Sequence, residues 1–188
     1  MKLLEDRILK DSVIINNEII KVDSFLNHQI DPALIDALAD DILEFFKDKK
    51  FDKILTVETS GIAIAYAVAS KAKKQLVFAK KSKSMTVGND VYTTVVKSFT
   101  RKTVNNVTVC KDYIKKNEKI LLIDDFLADG NASLGMVELC KQAGAKVVGL
   151  GVAIEKAFQL GRKKLEDLGI PVYSGAAIRA FRDNKPIF

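Results

Sequence analysis

The fold turns on KILLIDDFLADGNAS, Lys119 to Ser133. Four aliphatic residues, Ile120 to Ile123, read as a strand buried on both faces. The run stops on two adjacent carboxylates, Asp124 and Asp125. A short loop with one glycine follows, Ala128 to Ala132, and NASLGMVELCKQAGA then reads as a helix ended by Gly144. Two like charges are costly in such a strand unless they lie at its carboxyl end, facing water, a cation or sugar hydroxyls. The start of a helix offers free N–H groups and a positive dipole end, and small side chains let a phosphate come close. The stretch therefore suits a sugar phosphate, although solvation plus a helix cap fits the spacing too. It lacks the Gly-x-x-x-x-Gly-Lys of a Walker loop and the glycines of a dinucleotide fingerprint.

Outward from this strand the pattern repeats. KILTVE (Lys53–Glu58) is a strand, IAIAYAVASKAKK an alanine-rich helix and QLVFAKK (Gln75–Lys81) a second strand, which together make the unit of a parallel sheet. DPALIDALADDILEFFKDKK (Asp31–Lys50) is a helix with Asp31 as cap and Pro32 at its first position. After Gly144 come a strand at Lys146–Lys156, a short helix in GRKKLEDLG and a last strand in IPVYSGAAI. Between Ser82 and Lys102 the chain is polar, then alternates around Tyr92–Phe99, with NVTVCKDYI as a return strand: a hairpin excursion or a lid with hairpin arms. The class is α/β with an open sheet, where ligands bind beyond the carboxyl ends of strands.

Composition narrows the functions. The 188 residues suggest one domain, and 48% hydrophobic residues suffice for a full core. No apolar run reaches the ~18 residues of a membrane helix. The start, MKLLEDRILKDSVI, carries acids and is no secretory signal, so a cytoplasmic protein with no membrane partner is expected. Cys110 and Cys140 are far apart, without metal-ligand spacing, and read as ordinary thiols. The single histidine, His28, excludes a multi-histidine metal centre, and no Gly-x-Ser-x-Gly elbow accompanies it. A net charge of +6 suits nucleic acid or a polyanionic small substrate. The lysines are scattered without interleaved aromatics, which argues against nucleic acid.

At ILLIDDFLADGNAS the sequence resembles the type I phosphoribosyltransferases, whose signature is an aliphatic run, two acids, two hydrophobic residues and a small glycine loop. VDSFLNHQIDP (Val22–Pro32), VETSGIAIA (Val57–Ala65), FAKKSKS (Phe78–Ser84), VKSFT (Val96–Thr100) and IEKAFQ followed by GR (Ile154–Arg162) resemble the bacterial xanthine branch. The resemblance is collinear over nearly the whole chain. It implies the type I phosphoribosyltransferase fold: a mostly parallel open sheet flanked by helices, a β-hairpin lid and a small base-binding hood. Residues 1–188 would form a single domain, with 1–35 and 157–188 in the hood and 81–112 as a flexible loop and hairpin.

The implied reaction moves the phosphoribosyl group of phosphoribosyl pyrophosphate (PRPP) onto xanthine in purine salvage. The products are xanthosine monophosphate and diphosphate. Asp124 and Asp125 would be catalytic, holding the ribose hydroxyls directly or through water on magnesium. Mg2+ would arrive with PRPP, near these acids, with no direct protein ligand. Ala128, Asp129, Gly130, Asn131 and Ala132 would wrap the 5′-phosphate. Thr59, Ser60 and Gly61, in a loop where the family often has a strained peptide, would meet the diphosphate, with Lys81 and Lys83 and their neighbour Lys80. Ile20, Asn27 and Lys156 would contact the base, and Phe126 or Phe158 would stack on it or serve plain core packing.

The chain departs from the family at two points. Asp129 stands where threonine or asparagine is usual, and is expected to turn away and cap the helix at Ala132 or Ser133. Ala128 replaces an acid that acts as proton acceptor in some relatives, so no general base is assigned. Guanine or hypoxanthine as substrate is the near alternative. A PRPP-sensing regulator of the same fold is the distant one, since no helix-turn-helix precedes the first core helix. Relatives imply a homodimer, through the amino-terminal helix or the hairpin.

Overall fold

The computed structural model describes residues 1–81, 90–97 and 104–188. The chain opens with α1 (Lys2–Asp11), β1 (Val13–Ile15), β2 (Ile19–Lys21), a π-helical turn at Asp23–Asn27 and α2 (Pro32–Phe45). Next come β3 (Lys53–Val57), α3 (Gly61–Ala72), β4 (Gln75–Ala79), β5 (Val91–Lys97) and β6 (Val104–Cys110). The stretch that opened the sequence analysis forms β7 (Lys119–Leu127) and the start of α4 (Asn131–Gln142). The remainder is β8 (Lys146–Lys156), α5 (Gly161–Glu166), β9 (Val172–Ile178), β10 (Ala180–Arg182) and β11 (Lys185–Ile187).

Five strands make one parallel sheet in the order β4–β3–β7–β8–β9. Successive residues alternate between two cores. Ile54, Leu121 and Ile123 face α1, α2 and α3, whereas Leu55, Ile120 and Leu122 face α4. Both faces are covered, which is why these strands read as unbroken aliphatic runs. The strand order reverses between β3 and β7: β4 lies outside β3 on one side, β8 and β9 beyond β7 on the other.

The expected elements form, with α2 stopping at Phe45 rather than Lys50. Asp31 caps it, its Oδ1 accepting the N–H groups of Ala33 and Leu34 at 3.1 and 3.2 Å. The arms of the β5–β6 hairpin are packed, not free-standing. Val96, Val107 and Val109 enter the second core, and Gln142 of α4 both accepts from the Thr93 N–H and donates to its carbonyl. The polar segments that suggested a lid, 82–89 and 98–103, lie outside the described residues.

Two short hairpins lie outside the sequence-based expectation. β1–β2 turns at Asn16 and Asn17, and β10–β11 at Asp183 and Asn184, all four with φ between 51° and 55°. Asn and Asp tolerate this left-handed region, and paired positive φ values suit tight hairpins. The tips meet: Asn17 N–H donates to Asn184 Oδ1 at 3.1 Å, and Asn184 N–H to Asn17 Oδ1 at 2.7 Å.

Candidate active site

The point where the strand order reverses opens a crevice at the carboxyl edge of an open α/β sheet. Here it is a cavity of about 600 Å³. Its walls come from the loop after β3, the loop after β7, the carboxyl end of β8, the β1–β2 hairpin and the arms of β5 and β6.

Asp124 and Asp125 line it at the end of β7. Asp124 is 4% exposed. The Asp125 N–H donates to Asp124 Oδ1 at 3.0 Å, and the Phe126 N–H to Asp125 Oδ1 at 3.0 Å. Burial, then the charge of Asp125, pushes the Asp124 carboxyl well above the usual carboxylate range. Burial also raises Asp125, against the pull of its hydrogen bonds. The pair thus presents crowded oxygen acceptors that gain from any hydroxyl donor or cation. Behind it stands Gly61, where a Cβ would meet the Thr56 hydroxyl and come within 3.1 Å of Asp124 Oδ1. Gly61 therefore backs the acid pair, while Thr59 and Ser60 face the cavity.

The loop after β3 is fixed at its start, through Glu58. The Glu58 N–H donates to the Ala79 carbonyl at 3.0 Å, and the Glu58 carboxylate accepts the Lys81 N–H at 2.5 Å. The Glu58–Thr59 peptide is cis. Lys81 reaches the cavity wall and its charge counters those of the two aspartates. Lys83 lies outside the described residues.

Across the crevice, Ala128, Asp129, Gly130, Asn131 and Ala132 line the start of α4. Gly130 has φ +82°, which a side chain would strain, and no side chain caps the helix. The expected cap from Asp129 is corrected. The left-handed turn at Gly130 makes the glycine itself the N-cap and leaves Asp129 outside the helix, in the cavity wall.

Ile20, Asn27 and Lys156 also line the cavity. Asn27 Oδ1 is buried and has no hydrogen-bond partner among the described residues. A buried acceptor left open is costly and calls for a donor. Lys156 Nζ donates to the Glu18 carbonyl at 2.9 Å. Burial lowers its pKa, with the charges of Glu18 and Asp129 opposing. Phe126 is in the wall; Phe158 is not, but packs edge-on to Phe181 at 5.8 Å.

One crevice thus joins an acid pair, a bare helix start and a half-polar pocket. The family of the phosphoribosyl transferase domain matches residues 21–171. The chain belongs to the phosphoribosyltransferase family. Over all 188 residues it is 48% identical to a xanthine phosphoribosyltransferase of Finegoldia magna, covering 99% of that protein. It is 47% identical to that of Lacticaseibacillus casei, covering 98%. The fold of an adenine phosphoribosyltransferase from Trypanosoma brucei superposes with a TM-score of 0.80 over 97% of this chain and 82% of that one, at 16% identity. An APRTase from Giardia lamblia gives 0.78 over 93% and 97%, at 22% identity. The parallel sheet and crevice are thus those of the phosphoribosyltransferase fold.

In this phosphoribosyltransferase the cavity also contains Glu18, Ile19, Glu58, Val96, Asn105 and Ser133, which sequence reasoning did not select. Glu58 follows the apolar run of its strand as Asp124 follows Ile120–Ile123, a signal available in VETSG. Glu18, Ile19, Val96 and Asn105 arrive on hairpins whose docking no local pattern reveals.

Proposed function

We propose that the chain transfers the phosphoribosyl group of PRPP to xanthine, forming xanthosine monophosphate and diphosphate. What carries this is one cavity lined by the acid pair, the bare helix start, and Asn27 with Lys156. Asp124 and Asp125 hold the ribose hydroxyls. The N–H groups of Ala128–Ala132 receive the 5′-phosphate, and Thr59, Ser60 and Lys81 face the diphosphate, with Lys83 and Gly61 in support. As diphosphate departs, positive charge grows on the ribose and negative charge on the leaving group. Carboxylates beside the one and N–H donors with Lys81 beside the other stabilise both, without a proton acceptor from the chain.

Xanthine has two ring carbonyls and acidic N–H groups. Asn27 Oδ1 accepts one N–H, Lys156 approaches a carbonyl or the anionic ring, and Ile20 covers the face. The amino group of adenine would meet the Lys156 donor instead, a loss rather than a gain.

Magnesium fits the residues present. Two carboxylates with raised pKa, one buried and one half-buried, need positive charge, while among the described residues no group of three or more His, Cys, Asp or Glu builds a cage. That suits an ion which keeps waters and takes most of its ligands from phosphates. When bound with PRPP it would neutralise the diphosphate, with Asp124 and Asp125 at the edge of its water shell. The proposal extends to a homodimer in the cytoplasm, and a hydrodynamic mass near twice that of one chain is the expected outcome. Among the described residues no helix is long and apolar enough to cross a membrane.

The test is nucleotide formation from PRPP and magnesium with xanthine, guanine, hypoxanthine or adenine, beside an Asp124→Asn/Asp125→Asn variant. Xanthine should turn over fastest, and the variant should lose about 10²- to 10³-fold in kcat. Preference for guanine or hypoxanthine would overturn the roles of Asn27 and Lys156. No turnover of any base would overturn the transferase.

A further inference from the structure

Behind the Ala128–Gly130 turn lies a second layer of contacts, from residues that do not themselves line the cavity. Gly161 N–H donates to the Ala128 carbonyl at 3.0 Å, and Lys164 Nζ to the Asp129 carbonyl at 2.8 Å. Gly130 and Gly161 meet so closely that a Cβ on the first would stand 3.0 Å from the Cα of the second. The turn is therefore held from outside by α5, through two consecutive carbonyls and a glycine-to-glycine contact.

α5 is itself tied down. Arg162 donates from Nε to Glu155 Oε1 at 2.8 Å and from Nη2 to Glu155 Oε2 at 2.6 Å. It donates further to Ser174 Oγ at 3.0 Å and the Val172 carbonyl at 3.0 Å, and Ser174 Oγ in turn donates to Glu155. Glu155 is 2% exposed, and a two-pronged guanidinium–carboxylate pair of this kind fixes orientation as well as distance. Glu155 also occupies a pivotal place in the sheet. Its Cα partner on β7 is Leu127, the residue before Ala128, and the next residue along β8 is Lys156.

We infer that Arg162 and Lys164 are positioning residues for the transfer reaction. Lys164, with Gly161, holds the Ala128–Gly130 turn in the shape that receives the 5′-phosphate. Arg162, through Glu155, locks α5 to the strand that presents Lys156, so that one clasp sets the distance between phosphate turn and base pocket. This rests on the function proposed above, and predicts a division of labour. Lys164 acts on the phosphate end alone, whereas Arg162 acts on both ends.

The experiment compares wild type with Lys164→Met, Arg162→Met and Arg162→Lys, measuring KM for PRPP and xanthine, kcat, thermal melting and, without turnover, calorimetric affinity for ribose 5-phosphate. Lys164→Met should raise KM for PRPP and weaken ribose 5-phosphate by about tenfold, leaving KM for xanthine and the melting temperature nearly unchanged. Arg162→Met should raise both KM values by about 10- to 100-fold. Arg162→Lys should recover part of this, since lysine keeps the charge but not the fork. Should Arg162→Met fail to fold, Lys164→Met and Arg162→Lys decide. KM values and ribose 5-phosphate affinity within about twofold of wild type in these variants would overturn the clasp, whatever happens to melting. Wild type that binds ribose 5-phosphate but makes no nucleotide, with weaker binding in Lys164→Met, would overturn the transferase and leave the clasp standing.

Discussion

At the scale of single residues, the crevice sets catalysis against stability. Burial and the neighbouring Asp125 raise the pKa of Asp124 above its usual 3.8. The folded protein therefore keeps a proton that the unfolded chain has lost, from about pH 4 up to the raised value. Native protons exceed unfolded protons across that window, so stability falls as pH climbs through it. Asp124→Asn cannot make that slope. Its melting temperature should exceed wild type by roughly 2–4 °C at pH 8 while turnover collapses, and a flat or lower melting profile would show that the pair is not strained. Asp129 offers a second case. Its carboxylate stands beside the turn assigned to a phosphate, and its charge opposes the burial that lowers the pKa of Lys156. Asp129→Asn should lower KM for PRPP by about threefold and move Lys156 further down, seen as an acid-ward shift in the pH dependence of xanthine binding. Asp124, Asp125 and the bare loop were legible because a buried strand that ends on charge is a local contradiction. Asp129 does not cap because Gly130, at φ +82°, takes the N-cap place and leaves Asp129 outside the helix, and Gly161, which packs against Gly130, is no neighbour in sequence.

At the scale of elements, the five sheet strands and their helices could be read because two-sided burial writes itself as aliphatic runs. The two small hairpins could not, since three-residue strands carry almost no periodicity. Asn16–Asn17 and Asp183–Asn184 were their only signal. They reach the cavity: the β1–β2 hairpin carries Ile20, and the Glu18 carbonyl holds Lys156. Asn184→Ala removes the side-chain acceptor for the Asn17 N–H and should raise KM for xanthine about threefold, with KM for PRPP unchanged. Equal changes in both KM values would mean that the hairpins steady the whole crevice. Gly61→Ala forces a methyl against Thr56 and Asp124, and should cost about 1–3 kcal/mol in urea unfolding as well as most activity.

At the scale of the whole molecule, the reversal of strand order between β3 and β7 places two strand-to-helix loops side by side, the two to which the proposed function gives the diphosphate and the 5′-phosphate. The order of strands was not readable from the chain; that ligands gather where it reverses follows once it is known. Because the described residues build no metal cage, chelation should abolish turnover and leave the melting temperature of the free protein unmoved. A fall in melting temperature would point instead to a metal held by the protein itself.

The reciprocal contact between Asn17 and Asn184 spans 167 positions. Contacts of such sequence separation are slow to form, and on a ribosome they must wait for synthesis itself. The crevice is thus completed in a fixed temporal order. The half proposed for the phosphates is built from β3, β7 and α4, with α5 behind the turn, all of which precede the last hairpin in the chain. The half proposed to choose the base waits until the last hairpin has emerged to secure the first. On the proposed roles, a nascent chain would present its sugar-phosphate half before its purine half is secured.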